Sequence, residues 1–262
     1  MTRVLQIPLS KEKLRALSKE ERVALFLFGN VANQIVMMEK LLTFAHNDAS
    51  PNGALEQQAA GLQGQMILRL MIGLLNEGYR AIQTRFNSSL LAKTYRALLD
   101  AGGERALANL NLQFSQSIIQ QIRTQFAFHH PSSDAIESAF DQAAGDPNMD
   151  AAWNWYLSQH GFNNLFYFSD GVITHAIFEE IGETDWRIGQ QKIMDEVTRA
   201  SNNIKEFVLS FVNAVWLKQF GTELVADKVF ELNNAPDVSS VHIPFFVTVP
   251  GLQPLWDGMP FR

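Results

Sequence analysis

The sequence predicts an all-α fold, an up-down helical bundle of long amphipathic helices followed by an extended or short β C-terminal tail. Apolar residues recur every three or four positions through most of the 262 residues, which is the period of a helix with one buried face. Turn-forming clusters such as NDASPNG at 47–53 separate these stretches. One stretch, VHIPFFVTV at 241–249, is β-branched and aromatic with an internal proline, which favours an edge strand or an extended segment.

The first half of the chain predicts successive helices joined by short turns. Ser18 and Glu21 have the spacing of a capping box and are predicted to start a helix that ends near His46. Further helices are predicted over 54–86, from Asn87 or Ser88 to about Leu99, and over Glu104–Pro131 after a turn at Gly102 and Gly103. Pro131 disfavours helical geometry at the residue before it, so the last of these helices should end at His129 or His130.

The second half predicts shorter elements and one long helix. Helices are expected over 133–143, over 150–160, from Asp170 to Ile181 with Gly182 closing it, and from Thr184 or Asp185 to about Phe220. Residues 162–168 read as a short strand or a buried loop, and 241–249 is offered as a partner for Val4–Leu9. The expected organisation is a bundle over 1–145 and a helical extension over 146–262 that ends in the tail.

Composition narrows the class of protein. Cysteine is absent, which excludes disulfides, zinc–cysteine sites and cysteine nucleophiles. The N-terminus lacks the pattern of a secretory signal, and no apolar run is long enough for a membrane span, so a cytoplasmic protein is expected. The net charge of −6 divides into a basic half up to residue 131 and a strongly acidic half after it. The basic residues Arg69, Arg80, Arg85, Lys93 and Arg96 either lie on solvated helix faces or attract an anion.

The candidate catalytic residues are Arg123, His129 and His130, at the end of the helix predicted over Glu104–Pro131. Histidine exchanges protons near neutral pH, and the planar guanidinium of arginine binds phosphate. These groups suffice for metal-independent cleavage of RNA, in which the 2′-OH attacks the adjacent phosphorus. On a regular helix, Arg123 and His129 lie about 120° apart, whereas His130 lies nearly in line with Arg123.

The segment Arg123-Thr-Gln-Phe-Ala-Phe-His129 has the form R-x5-H and resembles the motif of the HEPN superfamily, which also sits at the end of a bundle helix. The resemblance covers roughly residues 18–145. It implies a helical bundle that dimerises, and RNA as a partner. It also implies either a metal-independent endoribonuclease or an inactive relative that only binds. No cofactor and no resident metal are expected.

Other interpretations stay open beside this one. Arg123 can rest its stem on the core with its head in water, and the histidines can cap the helix, which describes a catalytically inactive module for oligomerisation or protein binding. His175 and Glu179 have the spacing of half a metal site. The aromatic residues between Trp153 and Phe168 can stack bases, although their acidic neighbourhood favours core packing.

Overall fold

The computed structural model describes residues 2–47, 53–115, 117–127, 130–146, 149, 153–158, 161–221, 224–248 and 250–251, and it confirms the all-α fold class. The helices are α1 Lys11–Ala16, α2 Lys19–His46, α3 Ala54–Ile82, α4 Leu90–Tyr95, α5 Ala101–Gln113, α6 Ile118–Ile122, α7 Ser133–Gly145, α8 Tyr167–Glu180 and α9 Trp186–Phe220. Two π-helical turns, Gln83–Asn87 and Arg123–Ala127, follow α3 and α6 directly. Strands β1 Thr2–Gln6 and β2 Lys228–Leu232 form a small antiparallel sheet.

The chain divides into two compact units, and each unit is built from three separate stretches of the sequence. Unit 1 comprises Met1–Glu39, Met71–Gln120 and Lys192–Asp237, and unit 2 comprises Lys40–Leu70, Gln121–Gln191 and Val238–Arg262. The expected boundary between residues 145 and 146 therefore falls inside unit 2. The residues predicted to carry chemistry also belong to unit 2.

In unit 1, the capping box predicted at the start of α2 is present. Ser18 N–H donates to Glu21 Oε2 at 2.8 Å, and Glu21 N–H donates to Ser18 Oγ at 3.2 Å. The other carboxylate oxygen, Oε1, accepts hydrogen bonds from the Tyr95 hydroxyl and from Gln219 Nε2, the latter at 2.8 Å. Glu21 is 6% exposed, so its charge is held by hydrogen bonds rather than by water.

The core of unit 1 is an aromatic cluster built around α9. Phe207 and Phe211 lie one turn apart on α9, and Phe28 and Phe86 meet them edge-on, with ring centroids 5.1 to 5.8 Å apart. Tyr95 meets Phe211 in the same way at 5.8 Å. All five rings are buried. Edge-to-face pairs of this kind stabilise a core beyond the area that they bury.

The prediction of one helix over Glu104–Pro131 is wrong, because α5 ends at Gln113, α6 begins only at Ile118, and Ser115 and Ser117 are not helical. Ser115 Oγ donates to the Leu112 carbonyl at 2.7 Å, and Ser117 Oγ accepts from Ile119 N–H at 3.0 Å, where it starts α6. Serine side chains that bond to nearby backbone groups compete with helical hydrogen bonds. The apolar period continues across this break, so periodicity alone did not show it.

The turn predicted at Gly102 and Gly103 is also wrong, since both glycines lie in the first turn of α5. Asp100 caps this helix by accepting from Gly103 N–H at 2.7 Å, and this hydrogen bond holds the pKa of Asp100 below its usual value. A Cβ on Gly103 would overlap the side chain of Ser210, whose hydroxyl donates to Asp100 Oδ1 at 3.0 Å. The glycine is therefore required for close packing against α9.

The strand partner suggested for Val4–Leu9 is wrong as well. β1 pairs with β2, from Thr2 opposite Leu232 to Gln6 opposite Lys228, and Arg3 meets Glu231 across the sheet at 3.4 Å. Every residue of both strands is exposed. Because neither strand has a buried face, the two segments show no alternation of apolar and polar residues from which their pairing could be predicted.

In unit 2, the tail is an extended segment without a strand over residues 241–248. Ile243 N–H donates to the Phe44 carbonyl at 3.3 Å, and Phe245 and Phe246 pack on the buried residues Ala59, Leu62 and Leu165. Pro244 has no N–H to donate, which favours this solution over a paired strand. Val249, at the end of the predicted segment, lies outside the described residues.

The helix predicted over 150–160 is wrong for residues 153–158, which are not helical. Tyr156 and Leu165 instead exchange backbone hydrogen bonds of 2.9 and 2.8 Å as an isolated antiparallel bridge. The remaining residues of that prediction lie outside the described part of the chain. The predictions at the end of α8 and the start of α9 are confirmed, since Gly182 ends α8 with a positive φ of 70° and Asp185 caps α9 by accepting from Arg187 N–H at 2.8 Å. The predicted start of α8 at Asp170 is wrong, because the helix begins at Tyr167 and Asp170 lies within its first turn.

Replacing Tyr95 with phenylalanine should lower the free energy of unfolding by roughly 1.5–3 kcal/mol, because the buried carboxylate of Glu21 loses a donor while the ring stays in place. Chemical denaturation measures the change. Tyr167→Phe is the matched control, since the Tyr167 hydroxyl makes no hydrogen bond within the described residues. A loss no larger than that of the control would show that the Tyr95 hydroxyl does not stabilise the fold.

The same tyrosine should make stability depend on pH in the alkaline range. Burial, together with the hydrogen bond to Glu21, raises the pKa of Tyr95 from 10.0 to about 12. The folded state therefore holds this proton more tightly than the unfolded state. The contribution of the protonated Tyr95 hydroxyl to the free energy of unfolding is therefore complete below pH 10 and is lost as the pH rises towards 12. Burial also raises the pKa values of Tyr79 and Tyr167, so ultraviolet titration of the four tyrosines should show Tyr95 as the last phenol to ionise. That last step should be missing in Tyr95→Phe, and four equivalent phenols would contradict the assignment.

Candidate functional site

Arg123 lies at the start of the π-helical turn Arg123–Ala127, in unit 2. The buried side chains of Ile122 and Phe126 hold the turn to the core. Gln125 Nε2 donates to Glu180 Oε2 at 2.8 Å, which ties the turn to α8. Arg123 itself is half-buried. A π-turn in a short helix is a local departure from regular geometry of the kind that recurs at functional sites.

Of the two candidate histidines, His130 is among the described residues. His130 is exposed, and its ring makes no hydrogen bond within the described residues. His129 lies outside the described residues. Because hydrogen bonding in the π-turn follows an i→i+5 pattern, the alignment of Arg123 with His130 calculated for a regular helix does not apply. The convergence of Arg123 with His129 stays a prediction.

The basic residues of the first half are divided between the two units. Arg69 belongs to unit 2, whereas Arg80, Arg85, Lys93 and Arg96 belong to unit 1. Arg69 is largely buried and pairs with Asp170 at 2.5 Å. Arg80 pairs with Glu77 at 3.3 Å on an exposed helix face. These two arginines therefore act as partners of carboxylates within their own units.

Unit 2 also contains a cavity of about 460 Å³, which lies among α3, α8 and the start of α9. Its walls are largely apolar and aromatic, with Tyr167, Phe178 and Trp186 supplying rings. A tyrosine hydroxyl is protonated at neutral pH and can donate a hydrogen bond, and burial raises the pKa of Tyr167 further. The size and the mixed lining are those of a small-molecule site.

Some polar groups of this cavity, called here the α3–α8 pocket, hold the structure together. Asp170 pairs with Arg69, Gln58 Oε1 accepts from the Tyr156 hydroxyl at 2.9 Å, and Gln65 Nε2 donates to Gln190 Oε1 at 2.7 Å. The pocket is further lined by Gln57, Thr174 and His175, whose side chains make no hydrogen bond within the described residues. These three groups are therefore available to a ligand.

Gly189 allows the first turn of α9 to approach the floor of the α3–α8 pocket. A Cβ at this position would lie 2.7 Å from Cδ1 of Phe178, a ring that is 4% exposed. The ring of Phe178 therefore occupies the gap that Gly189 leaves in the apolar stripe of α9. This packing fixes one aromatic wall of the pocket.

Sequence reasoning did not single out Gln57, Thr174 or Arg187 as site residues. Glutamine and threonine are common on solvated helix faces, and these residues come from helices far apart in the chain, so no local pattern marks them. The sequence predicts for His175 only half of a metal site, with Glu179. Among the described residues no group of three or more histidine or acidic side chains is placed to hold a metal ion.

The expectation that the aromatic residues between 153 and 168 pack in a core is wrong for most of them. Trp153, Trp155, Phe162, Phe166 and Phe168 are exposed. Trp155 and Phe166 stack on each other with centroids 5.1 Å apart, on the surface of unit 2. Exposed apolar groups in such number are typical of an interaction surface.

Comparisons of the chain with protein-family models, with curated proteins and with solved structures give no match. Within the described residues, no helix has both the length and the hydropathy that a membrane span needs.

Replacing Gly189 with alanine should lower the free energy of unfolding by about 1–3 kcal/mol, because the new methyl group displaces the buried ring of Phe178. Gly29→Ala is the matched control, since Gly29 is also inside a long helix but has open space around its Cβ position. That change should raise stability by up to about 1 kcal/mol through helix propensity. Thermal and chemical denaturation of both variants checks the pair, and equal effects would contradict the role of Gly189.

Proposed function

We propose that this chain is a HEPN-like protein that binds RNA and cleaves it without a metal ion, with Arg123, His129 and His130 as the catalytic residues. The observation that carries the proposal is the irregular turn at Arg123, which is anchored to the core and to α8; in the sequence, the two histidines follow this turn after Phe128. We also propose that the protein is a homodimer, because the resemblance to HEPN proteins implies that two motifs come together. We propose that it works in the cytoplasm, where RNA is accessible to it.

The chemistry is a transesterification. One histidine takes the proton of the 2′-OH, and the 2′ oxygen forms a bond to the adjacent phosphorus. The bond from phosphorus to the 5′ oxygen breaks, and that oxygen takes a proton from an acid. Arg123 neutralises charge on the non-bridging oxygens. The products are a 2′,3′-cyclic phosphate and a 5′-hydroxyl, and no metal or oxidant is consumed.

The second candidate function is a catalytically inactive module for oligomerisation or protein binding. Two observations favour it. Acidic residues outnumber basic ones by more than two to one in unit 2, which opposes an RNA backbone. The exposed aromatic residues of the same unit offer an apolar surface to a protein partner or to a second copy of the chain.

Incubation of purified protein with total RNA in excess EDTA should yield fragments that end in a 2′,3′-cyclic phosphate. Arg123→Ala should reduce the rate by at least about a hundredfold, and removal of the acting histidine should do the same. His129→Ala and His130→Ala, measured in parallel, assign that role. Gel electrophoresis and end-group analysis report the products.

Arg15→Ala is the matched control, since Arg15 is an exposed arginine of unit 1. Its cleavage rate should equal that of the wild type, and circular dichroism should show that every variant keeps its helices. If the folded wild type gives no cleavage at any protein concentration, the interaction module becomes the better proposal. Light scattering then determines whether the chain self-associates.

A further inference from the structure

We propose that the α3–α8 pocket binds a neutral, planar nitrogen heterocycle of the nucleobase or nucleoside class. The residues that line this pocket do not include Arg123, His129 or His130. Its volume of about 460 Å³ lies within the roughly 300–1,000 Å³ of ordinary small-molecule sites.

The aromatic walls select a flat ligand. Tyr167 and Trp186 line the pocket together with the buried ring of Phe178. Aromatic faces attract planar heterocycles by stacking, whichever base is present. Gly189 keeps Phe178 in position, so at least one of these faces is fixed before a ligand arrives.

The polar groups select a ligand with an edge of donors and acceptors. The amide of Gln57 offers both a donor and an acceptor, which is the pattern that pairs with the edge of a base. The hydroxyl of Thr174 and the imidazole of His175 add groups of either kind. None of these three side chains makes a hydrogen bond within the described residues. A ligand can therefore bind to them without breaking a hydrogen bond in that part of the chain.

The charges of the lining balance one another, which favours a neutral ligand. Asp146, Asp170 and Arg187 all line the pocket. Asp170 is already neutralised by Arg69 at 2.5 Å, and the Arg187 guanidinium lies 5.6 Å from the centroid of the Trp186 ring. The acidic composition of unit 2 opposes a polyanion. A neutral base or nucleoside avoids this repulsion, whereas each phosphate added to the ligand should weaken binding.

The test is calorimetric titration of the full chain with the four ribonucleosides and with the corresponding triphosphates. At least one nucleoside should bind saturably, and its triphosphate should bind more weakly. Gln57→Ala, Thr174→Val and His175→Ala should each weaken binding by about three- to tenfold, the effect of one lost hydrogen bond. Gln142→Ala, which changes an exposed glutamine outside the pocket, should leave it unchanged.

Three results would overturn the assignment. One is the absence of saturable binding by folded wild type at millimolar nucleoside. Another is binding that persists unchanged in all three pocket variants, which would place the ligand elsewhere. The third is affinity that rises with the number of phosphates. Thermal unfolding of each variant distinguishes a lost contact from a lost fold, and Thr174→Val keeps the shape of the side chain if the other variants fail to fold. The outcome is independent of RNA cleavage, because the titration measures binding alone.

Discussion

The carboxylate of Glu21 joins the separate segments of unit 1. One of its oxygens closes the capping box at the start of α2, and the other receives the Tyr95 hydroxyl and the amide of Gln219. Burial alone would raise the pKa of this group, yet its hydrogen bonds together hold the pKa below the usual value. A buried charge of this kind is tolerable only while its partners stay in place. The aromatic cluster depends on the same arrangement, because the ring of Tyr95 packs against Phe211.

The local half of this arrangement could be predicted from the sequence, and the distant half could not. Ser18 and Glu21 are three residues apart, and that spacing alone predicts the start of α2. Tyr95 and Gln219 lie 74 and 198 residues away from Glu21, and nothing in their own neighbourhoods marks them as its donors. The same limit applies to Gly103, whose place against Ser210 follows from packing rather than from a turn. The long helices α2 and α9 and their caps at Ser18 and Asp185 could be predicted, whereas the distant contacts that fix them could not.

The candidate site shows how far residue type and spacing carry an argument. Arg123 and the histidines stand out because few side chains supply a cation and proton transfer so close together in the sequence. Their geometry could not be predicted for two reasons. Ser115 and Ser117 interrupt the helix that precedes them, and Arg123 begins a π-turn, whose hydrogen bonds join residues five apart instead of four. The α3–α8 pocket is the opposite case. Gln57 and Thr174 are ordinary in sequence and become a candidate site only when α3 and α8 bring them together.

Charge decides which part of a nucleic acid such a protein can recognise. In unit 2, a phosphate near Arg123 gains one short-range attraction and meets the repulsion of many carboxylates. Salt screens the distant carboxylates over about 8 Å at physiological ionic strength, so the bidentate contact of a guanidinium still outweighs them at close range. Long-range steering of an RNA backbone towards this surface is therefore weak. Under the two proposals above, recognition depends instead on contacts that carry no charge, which the exposed aromatic rings and the α3–α8 pocket of unit 2 would provide.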